Sequence, residues 1–316
     1  MKKSKTIFYV FTASAVSLLI STAILTKNTE PEIEELSNKC PENYTKIPEF
    51  DVDGDGTKEK RFCLMKYEAK KSKEGLPISK PSKKPWTNIT QTKARKKCKA
   101  LGKRYSLVSN QQWIQTAKIA ASKEYNWIKN RKGESALYRG HSDKRPFHAL
   151  EASSNDSKGY HLTGEKNGSQ RRTTYIKKPQ DNKNTNNPHE TVLWDLAGNI
   201  WEWNNNSFTC SEQSCPESPR PTDSSNHEPT EITSPGTHIN SMELLRPNTE
   251  WNSSKNTGRI HTTGIKAIPN GSTHGFIRGG VWYDKKDAGI FTLHLKQAPN
   301  HSSPRVGFRC SYTPTT

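Results

Sequence analysis

Residues 193–203, with the sequence LWDLAGNIWEW, constrain the fold of this chain more than any other segment. Three of these residues are tryptophans, and each tryptophan buries a large apolar area while carrying one N–H group that needs a partner. The other apolar positions that can join a core are Leu193, Leu196 and Ile200. The side chains that present oxygen atoms are Asp195, Asn199 and Glu202. We expect this segment to contribute to the core, with its buried polar groups satisfied there.

A second group of motifs lies near the C-terminus, where RGG at residues 278–280 is followed by GFRC at residues 307–310. Upstream, residues 62–68 and 85–119 complete the pattern. Together with the first segment, these motifs resemble the signature segments of the formylglycine-generating enzyme (sulfatase-modifying factor) family, whose domain is a variant of the C-type lectin fold. The resemblance covers most of the chain after about Cys40. It implies an α+β fold with short twisted strands, two main helices and long loops.

Two helices are predicted by signals at their ends. Thr90 can cap a helix over residues 91–101. One face of this helix carries Ala94, Cys98 and Leu101. Ser109 and Gln112 form a capping-box pattern that opens a second helix, which continues to about Ala121. Its inward face carries Trp113, Ala117 and Ala120.

The resemblance also bears on catalysis. Catalytic members carry paired redox cysteines between the Gly-Gly and the Gly-Phe-Arg-Cys, and their thiolates hold copper(I) and activate oxygen. Residues 281–308 contain no cysteine, so no copper site is evident in this chain. Sulfoxide-synthase relatives bind iron through histidines of an added helical domain, and the sequence has no such histidine-rich segment. We therefore predict a non-enzymatic member of the family. The alternative is an oxidoreductase of the sulfatase-modifying type, with a redox centre that the sequence does not locate.

Residues 281–306 have the pattern of a binding surface on a rigid frame. Strand alternation over residues 289–296 predicts that Phe291, Leu293 and Leu295 face the core. The residues expected on the other face are Ile290, Thr292, His294 and Lys296. The expected frame consists of Arg278, Gly279, Gly280, Trp282, Ala298, Pro299, Gly307, Phe308 and Arg309.

This C-terminal pattern resembles the variable proteins diversified by retroelements, which display changeable residues at a ligand site on the same lectin-like fold. The resemblance implies a ligand site formed by Val281, Tyr283, Asp284, Lys285, Lys286, Asp287, His294, Lys296, Gln297, Asn300, His301, Ser303 and Arg305. Among them we expect Tyr283, His294 and Asn300 to make the main contacts, as aromatic or hydrogen-bonding groups on a rigid scaffold. The alternative is an ordinary surface loop of a non-catalytic relative.

Two segments raise the question of calcium. The family resemblance implies that Asn199, Glu202 and nearby main-chain carbonyls hold a structural Ca²⁺, which prefers oxygen ligands. The alternative is that both side chains only satisfy buried backbone groups. Residues 51–56, DVDGDG, have the alternating carboxylates of a calcium loop, but Phe62 stands where an EF-hand needs a bidentate glutamate. We therefore favour a tight Asp-Gly hairpin turn at residues 51–56.

The N-terminus has the pattern of an export segment. Its positive start contains Lys2, Lys3 and Lys5, and an apolar stretch follows at residues 7–20. We assign residues 1–26 to a signal peptide or an N-terminal membrane anchor, 27–39 to a linker and 40–316 to the lectin-like domain. The two interpretations of residues 1–26 remain open, because the weakly polar run at residues 7–26 reaches the ~20 residues that span a bilayer. Both place the domain outside the cytoplasm, in the periplasm, at the cell surface or secreted, with membrane contact only through the N-terminal segment.

Six cysteines in an exported chain fit a disulfide framework. We predict the pairs Cys40–Cys63, Cys98–Cys310 and Cys210–Cys215. The family resemblance also implies the second pair, which closes the longest loop and would stabilise the fold by about 4 to 5 kcal/mol in the chain-entropy model. Zinc is the alternative for these cysteines, but the sequence has no Cys-x-x-Cys and its ten histidines are scattered.

The chain is strongly basic, with a formal net charge of +18 and much of the excess at residues 58–104. Such a charge attracts anionic envelope polymers, lipid head groups or nucleic acid. No nucleic-acid motif lies there, so we expect no specific nucleic-acid partner and favour a solvated surface. The leading hypothesis is an exported or surface protein that binds an unknown protein or glycan ligand. A structural envelope protein held by its basic surface is a further alternative.

Overall fold

A computed structural model of the chain describes residues 39–52, 54–152, 170–177, 191–209, 226–227, 253–261 and 271–315. Contacts divide the chain into two units, Cys40–Thr313 and Met1–Lys39 with Pro314–Thr316. The predicted export segment and all of the linker except Lys39 lie outside the described residues. Within the described ranges, no helix is long and apolar enough to cross a membrane.

The two predicted helices are present in the described part of the chain, as α1 (Gln91–Lys99) and α2 (Asn110–Ala121). The Thr90 side chain accepts a hydrogen bond from the Lys93 N–H, and Ser109 forms a reciprocal capping box with Gln112. Every predicted inward position except the half-buried Leu101 is buried. Helix α1 ends two residues before the predicted Leu101, because the Leu101 and Gly102 N–H groups bond three residues back, to Cys98 and Lys99.

Most strands in the described residues are short. They are β1 (Tyr44–Ile47), β2 (Phe62–Met65), β3 (Lys70–Lys71), β4 (Pro77–Ile78), β5 (Tyr105–Leu107), β6 (Thr173–Tyr175), β7 (Val192–Trp194), β8 (Trp201–Thr209), β9 (Asn226–His227), β10 (Ile260–His261), β11 (Thr273–Arg278), β12 (Leu293–His294), β13 (Val306–Phe308) and β14 (Cys310–Tyr312). The predicted apolar stretch between the helices forms β5.

The described strands form two main sheets and two small ones. One main sheet has the order β1-β2-β14-β5, and the other has the order β13-β8-β11-β12-β10-β9. The small sheets pair β3 with β4 and β6 with β7. At one side of the larger main sheet, Glu202 on β8 aligns with Gly307 on the edge strand β13 and with Arg278 on β11. The segments that were most informative in the sequence therefore lie on adjacent strands.

The core is built around tryptophans whose N–H groups are satisfied. Trp113, Trp127 and Trp203 are fully buried. The Trp113 Nε1 donates to Ile290 O at 2.7 Å, and the Trp203 Nε1 donates to Ile89 O at 3.0 Å. These bonds connect α2 and β8 to neighbouring loops. They meet the requirement that a buried indole finds an acceptor.

Two of the three predicted disulfides lie in the described residues, and both are formed. Cys40 is bonded to Cys63, and Cys98 on α1 is bonded to Cys310 on β14. The third predicted pair, Cys210–Cys215, lies outside the described residues. Disulfides of this kind form and persist in an oxidising environment, as expected for an exported protein.

The predicted alternation over residues 289–296 is partly wrong. Phe291, Leu293 and Leu295 are buried as predicted, but Ile290 and Thr292 are buried as well. Only Leu293–His294 forms a strand. The reason is that residues 255–261 pack closely against this segment. Phe291 N bonds to Thr257 O and Leu293 N bonds to Arg259 O alongside it, and Gly258 lies against the Thr292 side chain. A segment that other parts of the protein enclose cannot alternate between core and solvent.

The hairpin predicted at residues 51–56 is supported by the described residues around it. The Asp51 carboxylate accepts from the Gly54 N–H at 2.6 Å and from the Gly56 N–H at 2.9 Å. Phe50 and Glu59 pair in antiparallel fashion beyond the turn. The Asp51 side chain thus stabilises the turn itself, while Asp53 lies outside the described residues.

Candidate functional site

Residues 281–306 form what we call the C-terminal interval. Arg278, the last residue of β11, fixes the position of its start. Its Nε and one terminal nitrogen lie 3.0 and 2.5 Å from Asn110 Oδ1, and its other terminal nitrogen donates to Phe291 O at 2.8 Å. The side chain is fully buried, and burial lowers the pKa of Arg278 to about 9. These bonds attach Arg278, at the end of β11, to Asn110 at the start of α2 and to Phe291 further along the interval.

The two glycines after Arg278 allow the chain to turn sharply. Gly279 and Gly280 have φ of +93° and +92°, a left-handed conformation that residues with a Cβ rarely adopt. A Cβ on Gly280 would also lie 2.7 Å from the Ala288 Cβ. The turn therefore brings residues 281–288 back on themselves and presents Tyr283 at the surface.

A group of three aromatic side chains lies at this turn. The rings of Phe147 and Tyr283 stack, with centroids 5.7 Å apart and planes 21° apart. Trp282 stands nearly perpendicular to both rings, at 6.1 and 5.8 Å. The Arg305 guanidinium lies 5.1 Å from the Tyr283 ring centroid, within the range of a cation–π contact. We call Phe147, Trp282 and Tyr283 the aromatic corner.

Phe147 and Trp282 differ in what they offer a binding partner. Phe147 is 64% exposed, and among the described residues it is the single large hydrophobic residue that is exposed. Trp282 is buried, and its Nε1 has no hydrogen-bond partner in the described structure. A buried donor without an acceptor is costly, so this N–H needs a water or a ligand atom.

Phe147 is held by a loop, residues 139–150, that is attached to the turn at residues 281–288 by two backbone hydrogen bonds. The Lys144 N–H donates to Trp282 O at 2.7 Å, and the Lys285 N–H donates to Ser142 O at 2.8 Å. Inside the loop, the buried His141 Nε2 lies 2.8 Å from Pro146 O and 3.1 Å from His148 O. Burial, together with the charge of Arg172, lowers the pKa of His141 to about 4, so the ring is neutral at physiological pH.

Charged groups surround the aromatic corner. The exposed cations near it in the chain are Lys144, Arg145, Lys285, Lys286 and Arg305. The half-buried Asp284 accepts a hydrogen bond from the Val281 N–H at 2.9 Å. Burial raises the pKa of Asp284 to about 7, although the Val281 bond opposes this shift. Arg259 lies 3.3 Å from the Asp287 carboxylate and attaches the turn to residues 253–261. The surface around the corner is therefore mainly cationic.

The sequence as a whole matches one protein family. The model of the sulfatase-modifying factor enzyme 1-like domain matches residues 42–313. The chain belongs to this family. Its helices and sheets form the C-type lectin-like fold that the sequence motifs predicted. No curated protein sequence matches the chain.

Three similar solved structures are distant in sequence. Treponema denticola variable protein 1 is 13% identical, with 86% of this chain and 95% of that chain covered and a TM-score of 0.34. CarF is 13% identical, with 86% and 98% covered and a TM-score of 0.38. PvdO from Pseudomonas aeruginosa is 12% identical, with 85% and 92% covered and a TM-score of 0.30.

The calcium ligands that the sulfatase-modifying factor family implies here already have protein partners. The Arg309 Nε lies 2.8 and 2.9 Å from the two carboxylate oxygens of Glu202. The Asn199 Oδ1 accepts from the Leu150 N–H at 2.7 Å, and its Nδ2 donates to Glu68 at 2.7 Å. A guanidinium thus stands beside Glu202 where a cation would bind, and this pair does not fit a calcium ion. The geometry favours the alternative, in which both side chains satisfy buried groups.

Glu202 and Arg309 belong to a larger group of buried charges. Arg172 makes two bonds to Asp195, at 2.8 and 2.5 Å. Burial raises the pKa of Glu202, and the charge of Arg309 opposes that shift. Within the described residues, no group of three or more His, Cys, Asp or Glu side chains is arranged to hold a metal ion. These charges connect β8 to β2, β7 and the end of β13.

The structure places the predicted ligand-binding residues in different environments. Those that are exposed are Lys285, Lys286, Lys296, Asn300 and Arg305. Those that are half-buried are Tyr283, Asp284, Asp287, His294, Gln297, His301 and Ser303. Val281 is fully buried and packs in the core with Ile277 and Trp282, so its inclusion as a ligand contact needs correction. Its position directly after the glycine turn points the side chain inward.

His294 has a packing role that the sequence did not predict. Its ring lies 5.3 Å from Trp201 and 5.8 Å from His261, with the His261 ring stacked and Trp201 edge-on. Burial lowers the pKa of His294 to about 4, with further contributions from Lys296 and His301. The ring is therefore neutral above about pH 5 and contributes to the packing around β12.

Phe147 is the site residue that sequence reasoning missed. It lies within the polar loop region between α2 and β6, where no periodic pattern predicts a buried or functional side chain. The local signal was a single aromatic residue after Arg145-Pro146 in an otherwise polar stretch. Its partner Tyr283 lies more than a hundred residues later in the chain, and only the folded structure brings the two together.

Proposed function

We propose that this chain is an exported, non-enzymatic member of the sulfatase-modifying factor family that binds a ligand at the aromatic corner and the adjoining C-terminal interval. The observation that carries the proposal is the exposed Phe147 stacked on Tyr283, with Arg305 beside the same ring. Binding hot spots are enriched in Trp, Tyr and Arg. Tyr283 and Arg305 lie at this surface with the exposed Phe147, above the buried Trp282, on a part of the chain that is fixed by backbone hydrogen bonds.

A binding surface that is already ordered in the free protein favours a high affinity for its ligand. Fixing a mobile side chain on binding costs about 0.5 to 1.5 kcal/mol for each rotamer-rich residue. Phe147 and Tyr283 already restrict each other, and the bonds from Lys144 to Trp282 and from Lys285 to Ser142 fix the backbone on both sides. A ligand that stacks on this pair therefore meets a surface that needs little further ordering.

The corner also indicates the chemistry of the ligand. Its apolar part is the exposed Phe147 ring stacked on Tyr283, its rim carries Lys285, Lys286 and Arg305, and the buried Trp282 N–H needs an acceptor. We propose a protein or glycan ligand that presents an apolar group next to an acidic or strongly accepting group. Asn300, Gln297 and Lys296 extend the polar part of the surface further along the interval.

We propose further that retroelement diversification varies the exposed positions of this interval, while the frame stays constant. The division between buried frame residues, such as Arg278 and Phe308, and exposed residues, such as Lys286 and Asn300, supports this. A reverse transcriptase gene and a near-copy of the 3′ coding end, differing at adenines, should then lie beside this gene. Sequencing the locus tests the point, and a locus without both elements contradicts it.

The proposed location is the periplasm, the cell surface or the extracellular medium. The two disulfides of the described chain support an oxidising compartment. The export segment at residues 1–26 is consistent with each of these locations, whether it is cleaved or retained as an anchor. Fractionation and N-terminal sequencing of the mature protein distinguish these cases.

Binding arrays test the function directly. The purified mature chain is applied to a glycan array and to an array of extracellular protein domains, together with Phe147→Ala, Tyr283→Ala and Arg305→Ala. We expect each variant to lose at least about tenfold in affinity for the bound species, since hot-spot truncations cost ~2 kcal/mol or more. Lys132→Ala, an exposed substitution outside the interval, is the matched control. If the three variants bind as the wild-type chain does, the aromatic corner is not the ligand site.

A further inference from the structure

The positive charge of this chain is concentrated in one stretch. Thirteen of the residues from Lys70 to Arg104 are lysine or arginine, and Glu74 is the single acidic residue among them. The formal net charge of the whole chain is +18, so this stretch carries most of the excess. A surface that serves only for solubility usually mixes positive and negative charges, so it would not need to concentrate the positive ones in one stretch.

The fold brings the two halves of this stretch together. The β3–β4 hairpin lies against α1, where the Lys97 Nζ donates to Gly75 O at 2.8 Å. The ammonium groups of Lys71 and Lys97 lie 5.6 and 5.8 Å from the centre of the Trp86 ring. Lysines from the hairpin and from the helix therefore meet over one indole. We call Lys71, Lys73, Lys93, Lys96 and Lys97 the basic face.

The charges on the basic face are not neutralised by the protein. Lys71, Lys73, Lys93 and Lys96 are exposed, and none has a salt bridge to another described residue. Lys93 and Lys97 are four residues apart on α1 and so share one side of the helix. Like charges at this spacing repel each other, and an anionic partner removes that repulsion.

The surface does not have the features of a lipid-binding helix. A helix that lies in a membrane interface needs an apolar face that enters the lipid. The apolar residues of α1, Ala94 and Cys98, are turned inward and fully buried. Trp86 is half-buried, packs edge-on against Phe308 and is covered by two lysines.

The same arrangement argues against single-stranded nucleic acid, because bases need open aromatic platforms on which to stack. Trp86 lies under Lys71 and Lys97 and offers no such platform. The disulfides indicate an oxidising compartment, which favours an acidic polymer outside the cytoplasm over an intracellular polyanion. An extended chain with many carboxylates can pair with several ammonium groups of α1 and the hairpin at once.

We infer that the basic face binds an acidic polysaccharide outside the cytoplasm, through charge alone and independently of the aromatic corner. Each lysine that contacts the polymer releases a counterion, so the affinity falls steeply as salt is added. The binding positions the domain in the envelope, and the ligand site at the aromatic corner remains free.

The experiment uses the mature chain and alginate, a linear polyuronate, at about 50 mM salt. In one variant Lys73, Lys93 and Lys96 are changed to Gln, and in the control Lys46, Lys60 and Lys132 are changed to Gln. All six are exposed, so both variants lose the same charge from the surface. We expect the first variant to bind alginate at least about tenfold more weakly, with a smaller dependence of affinity on salt, and the control to bind nearly as wild type. Phe147→Ala should bind alginate normally, which separates this inference from the proposed ligand site.

Two further probes decide the class of partner. Vesicles containing phosphatidylglycerol and a DNA oligonucleotide are tested at the same concentration of negative charge. Weaker binding of both than of alginate supports the inference. Tighter binding of the vesicles or of the DNA overturns it in favour of a membrane or a nucleic acid. An equal loss of alginate binding in both triple variants also overturns it, since the charge would then act without a defined surface.

Discussion

The Arg309 guanidinium and the Glu202 carboxylate form a fully buried ion pair, with the Arg309 Nε 2.8 and 2.9 Å from the two carboxylate oxygens. The other guanidinium nitrogens of Arg309 donate to the carbonyl oxygens of Met65, Lys66 and Trp194. The pair thus joins the two most informative motifs of the sequence and connects them to β2 and β7. It acts as an internal connection of the scaffold.

Removing one partner of this pair should destabilise the fold strongly. Glu202→Gln keeps the shape of the side chain but leaves the Arg309 charge buried without its counter-charge. We expect a loss of about 3 to 5 kcal/mol in the free energy of unfolding, measured by urea denaturation. The exposed pair Arg131–Glu134 provides the control, because Glu134→Gln should cost about 1 kcal/mol or less. Equal effects of the two substitutions would contradict the role assigned to Glu202.

The two described disulfides should differ in how much each one stabilises the folded protein. Cys98 and Cys310 are 212 residues apart, and Cys40 and Cys63 are 23 residues apart. In the chain-entropy model the longer loop stabilises by about 5 kcal/mol and the shorter by about 3.5 kcal/mol. We expect the Cys98→Ala/Cys310→Ala variant to unfold at a lower urea concentration than Cys40→Ala/Cys63→Ala. The reverse order would show that the loop-length argument does not govern these bonds.

Asp284 should make the stability depend on pH between about 4 and 7. Its pKa is raised from 3.8 to about 7, so in this range the folded state holds a proton that the unfolded state has lost. Raising the pH through this window therefore destabilises the fold, and the effect is complete above about pH 7. Asp284→Asn stays neutral, so its advantage in melting temperature over the wild type should grow from pH 4 to pH 7 and then remain constant. The charges of Asp287 and Arg305 are common to both proteins. An advantage that does not change with pH would mean that the carboxyl group titrates normally.

Gly289 should tolerate no side chain. A Cβ there would lie 2.3 to 2.4 Å from the backbone of Thr257 and Gly258. We expect Gly289→Ala to cost about 3 kcal/mol in unfolding free energy, at the upper end of overpacking effects, because the backbone must move. Gly271→Ala has open space around its Cβ and serves as a partial control, although its φ of +84° adds strain. A variant at Gly289 with wild-type stability would show that residues 255–261 do not pack against the interval.

Local signals in the sequence were sufficient for the helices but not for the packing of residues 289–296 near the proposed binding surface. Thr90, Ser109 and Gln112 act within a few residues of themselves, so their capping roles were predictable. The burial of Ile290 and Thr292 depends on residues 255–261, which carry no pattern that assigns them to that face.

The side-chain contacts of the aromatic corner and of the buried Glu202–Arg309 pair could not be predicted from local sequence either. Phe147 meets Tyr283 only because the 139–150 loop bonds to the backbone of Trp282 and Lys285. Family resemblance pointed to Glu202 as an important oxygen ligand but not to its partner Arg309. That pairing follows from the parallel alignment of β8 with β13, a non-local feature of the sheet.

The most direct test of the account is a pair of display libraries sorted for protease-resistant, folded protein. One library randomises the half-buried Tyr283 and the exposed residues Lys285, Lys286, Asn300 and Arg305, and the other randomises the frame residues Glu202, Arg278, Gly280, Phe308 and Arg309. If a recognition surface rests on an independent scaffold, most members of the first library remain folded and very few members of the second do. A similar loss of folded protein in both libraries would contradict the separation of recognition from fold on which the proposed function depends.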